Sequence, residues 1–336
     1  MKKLNNISFI KTIVMLLVVL YHSMLFYTGN WLININPLKI ISWVDYLTSF
    51  INTYTMPMFV FCSGYLFFYQ KINYNKYTNP VKDIKNRFNR LIIPYISTSI
   101  FWIIPIGVLL LNYNINDIVE KFALGLSPSQ LWFLLMLFFV FLIMYFISSK
   151  LKFTKKEFIV VICVSLILNY LSKYIPNYYQ LNVSFNYLLY YYFGGYICSR
   201  NLKLKYKKII NISMVLLSLC SYIILKVIPN IGYFHYLLII CKPFVVLIGT
   251  FALYVNFSSC NFRRLNNNKL YKIFENNSFG IYLFHQQIIY FVIYAFNEVL
   301  NPMFVILLSF VFSLIISNLI VSILRKYKPT KFMFGL

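Results

Sequence analysis

Acidic residues are scarce in this chain, with seven Asp and Glu against 31 Lys and Arg in 336 residues. Histidine is scarcer still, at three, and no carboxylate pairs stand near any of them, which leaves no ligand set for a metal. The six cysteines (Cys62, Cys163, Cys198, Cys220, Cys241 and Cys260) contain no CxxC pair and lie mostly inside apolar segments. They read as small buried apolar residues, and neither a disulfide framework nor a zinc site is implied. No loop is long enough for a second domain, and neither an internal repeat nor a low-complexity segment is visible, so the signature of inverted-repeat transporters is missing. No small-x-small cleavage site follows the N-terminal "MKKLNNISF", because "YHSMLFYTGNW" is bulky, and the first apolar stretch reads as an uncleaved helix. Segments of about ten residues alternating in polarity are absent, which argues against a transmembrane barrel.

What the chain has is apolar length. Hydrophobic residues make up 60% of it and aromatics 20%, with a mean hydropathy of +0.72. A water-soluble domain of this size could not hide that surface. The apolar runs are roughly 17 to 25 residues long, the length of membrane-spanning helices. The expected fold is an all-α polytopic membrane protein, one integral-membrane domain over 1–336. Hydropathy places about ten helices, near 7–27, 45–69, 91–111, 130–148, 157–173, 184–199, 209–228, 234–256, 277–297 and 301–324. Prolines inside them, notably Pro57, Pro105 and Pro243, read as kinks.

The net charge of +24 suggests nucleic acid until its distribution is followed. The cations cluster in alternate loops: Lys71, Lys76, Lys82, Lys85, Arg87 and Arg90; Lys150, Lys152, Lys155 and Lys156; Arg200, Lys203, Lys205, Lys207 and Lys208; Arg263, Arg264, Lys269 and Lys272. Lys2 and Lys3 precede the first span, and Arg325, Lys326, Lys328 and Lys331 follow the last. The opposite loops hold only Lys39, Lys121, Lys173 and Lys226. This bias is a topology signal that places both termini in the cytoplasm and supports an even number of spans; no nucleic-acid partner is implied.

Two ionisable residues on the first helix stand out. Lys11 and His22, in "KTIVMLLVVLYHSML", are separated by eleven residues. At 100° per residue they return to within ~20° of one direction, about 16 Å apart along the axis. Such residues within a span face a bundle interior or a wet cavity. For Lys11 the plainer role is snorkelling to headgroups, and for His22 an interfacial position. His285, in "NNSFGIYLFHQQ", is a second histidine inside a span, whereas His235, between Tyr233 and Tyr236, reads as interfacial. In "KDIKNRFNRLIIPY", Arg87 and Arg90 are neighbours if the third helix reaches back that far. A pair of guanidinium forks suits phosphate, and the plainer reading is positive-inside anchoring.

In order, "TMPMFVFCSGYLFF", "NRFNRLIIPY", "QLWFLLMLFF", "YYFGGYI" and "SFGIYLFHQQ", together with the Lys11–His22 span, resemble membrane acyltransferase family 3. The resemblance covers most of the chain. It implies a bacterial cytoplasmic-membrane enzyme that moves an acetyl group from acetyl-CoA to a hydroxyl of a cell-surface polysaccharide or its lipid-linked precursor. Acetyl-CoA would be a substrate, with no resident cofactor. Some members carry an extra soluble domain, for which this chain has no room. His22 matches the family's catalytic histidine. Lys11 stands where the family has arginine, keeping the charge and losing the fork, and Arg87 and Arg90 match its basic motif. The implied sites are therefore His22, supported by His285, for catalysis and Lys11, Arg87 and Arg90 for CoA. His285 would bind or orient the acyl group. Asp45 and Glu298 are the carboxylates available to orient His22. Glycan export, or a non-catalytic role in glycan-synthase assembly, are the alternative functions.

Overall fold

The computed structural model describes residues 4–31, 35–200, 233–258 (side chains from 240) and 267–336, with single positions between 201 and 232. Among the described residues there is no strand. The helices are α1 (Asn5–Leu25), α2 (Ser42–Tyr74), α3 (Pro80–Thr98), α4 (Ile104–Leu111), α5 (Ile115–Ile118), α6 (Trp132–Ile147), α7 (Lys155–Ser172), α8 (Leu181–Ser199), α9 (Tyr233–Ser258), α10 (Lys269–Phe296), α11 (Pro302–Leu324) and α12 (Lys328–Met333). A π turn over Ser99–Ile103 joins α3 to α4, giving one helical stretch from Pro80 to Leu111.

Helices occupy the expected apolar stretches except 209–228, of which only scattered positions are described; Lys203, Lys205, Arg263, Arg264, Cys260 and the His235 side chain lie outside the described residues. Six described helical stretches are long and apolar enough to cross a membrane: Asn5–Thr28, Pro80–Leu111, Ser129–Ile147, Ile240–Ser258, Lys269–Phe296 and Pro302–Leu324. The boundaries differ from expectation mostly where polar residues prolong a helix past its apolar part. α3 starts at Pro80 instead of 91 because Asn79 caps it, its side chain accepting from the Lys82 N–H at 3.1 Å, with Pro80 in the first turn. α10 starts at Lys269 instead of 277, capped by Asn268. Hydropathy cannot see a polar helical turn, whereas a cap residue marks it.

Glycine brings α2 and α8 together. A methyl group on Gly64 would overlap the Tyr191 carbonyl, and one on Gly194 would overlap the Phe61 carbonyl. Small residues let two helices approach to backbone contact, where close van der Waals packing holds them together. The core around them is aromatic, with Phe61, Phe67, Phe68, Phe141, Tyr191 and Tyr192 buried together. Of the cysteines, Cys62 and Cys198 are buried as expected, while Cys163 and Cys220 are exposed on outer faces of the chain, and all five described cysteines are free.

Candidate functional site: a cationic cavity and a histidine pair

α1, the Pro80–Leu111 stretch and α10 run in the same direction. At one end, Lys11, Arg87, Arg90, Glu275 and Arg325 line a single cavity. At the other, the Tyr27 hydroxyl donates to Asn297 Oδ1 (3.2 Å), and the Tyr294 hydroxyl to the Leu110 carbonyl (2.7 Å). A residue late in any of these helices therefore sits far from the cavity mouth.

The cavity encloses about 440 Å³, within the range of small-molecule sites. Its mouth is cationic. Because α3 extends back to Pro80, Arg87 and Arg90 lie one turn apart on one helix, and Lys11 joins them from α1. The Arg87 guanidinium lies 4.8 Å from the centre of the Phe141 ring, and its Nε is buried with no hydrogen-bond partner. A buried N–H left unbonded beside other cations is a place for an anionic oxygen. Lys11 makes no ion pair among the described residues. A second hollow of about 500 Å³ continues outward from Gln70, Tyr77, Arg87 and Arg90, lined by Asn75, Thr78, Asn79, Lys82 and Asn86. Burial pushes the Tyr77 phenol above its usual range, with Arg87 and Arg90 pulling the other way; it keeps its proton at neutral pH and its hydroxyl donates to Gln70 Oε1 at 3.3 Å.

Arg325, which loop charge alone marks as an anchor after the last span, belongs to this site. Its guanidinium donates to Asn277 Oδ1 (2.5 Å) and to the Asn276 carbonyl (2.6 Å). The adjacent asparagines at the start of an apolar helix were the available signal.

The far wall of the cavity is an aromatic collar of Phe59, Phe133 and Tyr282. The Phe59 and Phe133 ring centroids are 5.7 Å apart, and those of Phe133 and Tyr282 6.0 Å. The Tyr282 hydroxyl donates to the Gln130 carbonyl, and Gln130 Nε2 donates to the Leu283 carbonyl and to Gln287 Oε1, both at 2.9 Å. Tyr282 is thereby fixed in position. Neither His22 nor His285 lines the cavity; both lie beyond the collar, with the His285 ring 6.1 Å from that of Tyr282.

There the two histidines meet, with ring centroids 5.2 Å apart at 47°. Sequence spacing aligned Lys11 with His22 but gave no reason for residues 22 and 285 to touch. Trp31, 5.8 Å from His22, and Tyr290, 4.9 Å from Trp31, close the outer side. The π turn contributes Trp102, whose indole N–H donates to the Phe284 carbonyl at 3.2 Å, beside His285; π turns recur at functional sites because they re-aim a side chain within a helix. The two carboxylates considered for orienting His22 are engaged elsewhere or exposed. Asp45 Oδ1 accepts from Asn30 Nδ2 at 3.1 Å, and Glu298 is exposed. Among the described residues no group of three or more His, Cys, Asp or Glu could hold a metal ion.

A family model described as an acyltransferase domain matches residues 4–323. No curated protein and no solved structure matches the chain. The match takes in both ends of the site, from Lys11 to His285, and the chain belongs to this acyltransferase family.

Proposed function

We propose that this membrane acyltransferase carries an acetyl group from cytoplasmic acetyl-CoA to a hydroxyl of a cell-surface polysaccharide or of its lipid-linked precursor. The observation that carries the reading is the arrangement along three parallel helices: phosphate-binding chemistry at one end and base chemistry at the other. The ~16 Å rise between Lys11 and His22 on an unbroken helix is comparable with the length of a pantetheine arm. In this reading the loop charges orient the molecule, with about ten spans, both termini cytoplasmic and the cationic cavity opening to the cytoplasm.

Lys11, Arg87 and Arg90 would take the phosphates of CoA. Arg87 and Arg90 offer planar forks and Lys11 a point charge. The polar hollow beyond them is a place for the nucleoside. The arm would run along α1 and pass the collar of Phe59, Phe133 and Tyr282, delivering the thioester to His22. His22 takes the proton of the acceptor hydroxyl as its oxygen attacks the thioester carbonyl. The C–S bond breaks, and the proton passes to the departing thiolate, leaving an O-acetyl ester and free CoA. The collar would exclude water, which competes with the glycan for the thioester.

The test compares surface glycan from a strain lacking this chain with that of its parent. Base-labile acetyl groups should be present in the parent and absent in the deletion. Unchanged acetylation with glycan retained inside the cell would instead mark the chain as an exporter.

A further inference from the structure

His285 is fully buried, and its Nδ1 lies 2.9 Å from the Tyr282 carbonyl oxygen and 3.1 Å from that of Ile281. A carbonyl only accepts, so Nδ1 carries the proton. The preceding turn of α10 therefore selects one tautomer, and in the neutral ring Nε2 keeps a bare lone pair. That atom is enclosed and has no hydrogen-bond partner. Beside the His285 ring, at a centroid separation of 5.2 Å, lies that of His22, whose Nδ1 is also enclosed and without a partner. Two imidazoles joined by one N–H···N bond have centroids roughly 5 Å apart. The ring torsion of histidine is broad, so turning either ring can bring the two nitrogens into line.

We infer that His285 positions His22: its Nε2 accepts the N–H of His22 Nδ1 and fixes His22 in the tautomer whose lone pair lies on Nε2. The half-buried His22 ring leaves that nitrogen unenclosed, available to the acceptor hydroxyl. The role is the one a carboxylate fills in a Ser-His-Asp triad. A neutral acceptor suits a helix inside a bilayer, where a buried carboxylate is expensive to hold ionised. The proton balance closes without moving a proton onto His285. His22 becomes an imidazolium when Nε2 takes the hydroxyl proton, its Nδ1–H stays bonded to His285, and Nε2 then protonates the CoA thiolate.

The inference rests on His22 being the general base, and its test separates the two claims. The chain has only three histidines, so NMR of histidine-labelled protein in bilayers can read the tautomer of each ring. Wild type should show His22 as the Nδ1–H tautomer. His285→Gln, which keeps an acceptor oxygen, should retain that tautomer and remain within about tenfold of wild-type transfer. His285→Leu should return His22 to the Nε2–H form and lower transfer by ~10²- to 10⁴-fold. An Nε2–H His22 in wild type, or an Nδ1–H His22 in His285→Leu, overturns the pairing. Should the leucine variant fail to fold, the wild-type and glutamine spectra still decide. Full transfer by His22→Ala would remove the general base, and the spectra would stand independently of it.

Discussion

At the Lys11 end of the site, several cations from three helices face a cavity of about 440 Å³ that opens into a second polar hollow. At the His22 end, one imidazole meets another behind an aromatic collar, and each has an enclosed nitrogen without a partner. The first end is wide and redundant; the second is narrow and built from single atoms. An anion held by several cations loses one contact's share of its affinity when one is removed, while the others still hold it in place. A base that must present one nitrogen in one tautomer has no such reserve. On this account, substitutions at the two ends differ in kind as well as in size.

The largest effect is expected at the narrow end. His22→Ala should lower the turnover of acyl transfer by ~10²- to 10⁴-fold, with donor binding and membrane insertion retained. Radiolabel transfer alongside donor binding in isolated membranes checks both, and a parallel loss of binding would erase the distinction between the ends. At the wide end, Arg87→Ala combined with Arg90→Ala should raise the apparent Michaelis constant for the donor at little cost in turnover, because on the proposed reading the phosphates would be held equally in ground and transition states. The expected loss is ~1.5 to 3 kcal/mol for each charged hydrogen bond. Lys11→Ala alone should give one such step, and Lys11→Arg, which restores a fork, should give none; donor titrations of the two variants distinguish a phosphate contact from a lysine that snorkels to lipid. The smallest effect is structural. Asn79→Ala removes the cap of α3 and should cost about 0.5 to 2 kcal/mol of stability, measurable as a lower unfolding midpoint in detergent, with donor affinity weakened only slightly because Arg87 lies two turns inside the helix.

The cationic end was more legible in sequence than the histidine end, for a physical reason. Arg87 and Arg90 are neighbours on one helix, and Lys11 and His22 share a face by helical period alone. Such relations are local and follow from 3.6 residues per turn. Whether α3 reached back to them turned on Asn79–Pro80, a cap that hydropathy passes over. The meeting of His22 with His285 is a tertiary fact about how α1 packs against α10, and no periodicity within either helix encodes it. Arg325 was hidden differently: its charge was visible, but a cation after the last span serves equally as an anchor, and only its bonds to Asn276 and Asn277 place it in the site. The close approach of α2 and α8 lay in plain view as Gly64 and Gly194, once each glycine is seen to face the other helix's backbone.

In the proposed function, donor binding and chemistry occupy opposite ends of the same parallel helices, with the donor end cytoplasmic. Sealed membrane vesicles of defined orientation, supplied externally with labelled acetyl-CoA, test it most directly. Inside-out vesicles carrying the wild-type chain should acetylate glycan, right-side-out vesicles should not, and inside-out vesicles carrying His22→Ala should bind donor without transferring label. Transfer from donor supplied only to right-side-out vesicles, or undiminished transfer by His22→Ala, would contradict the account.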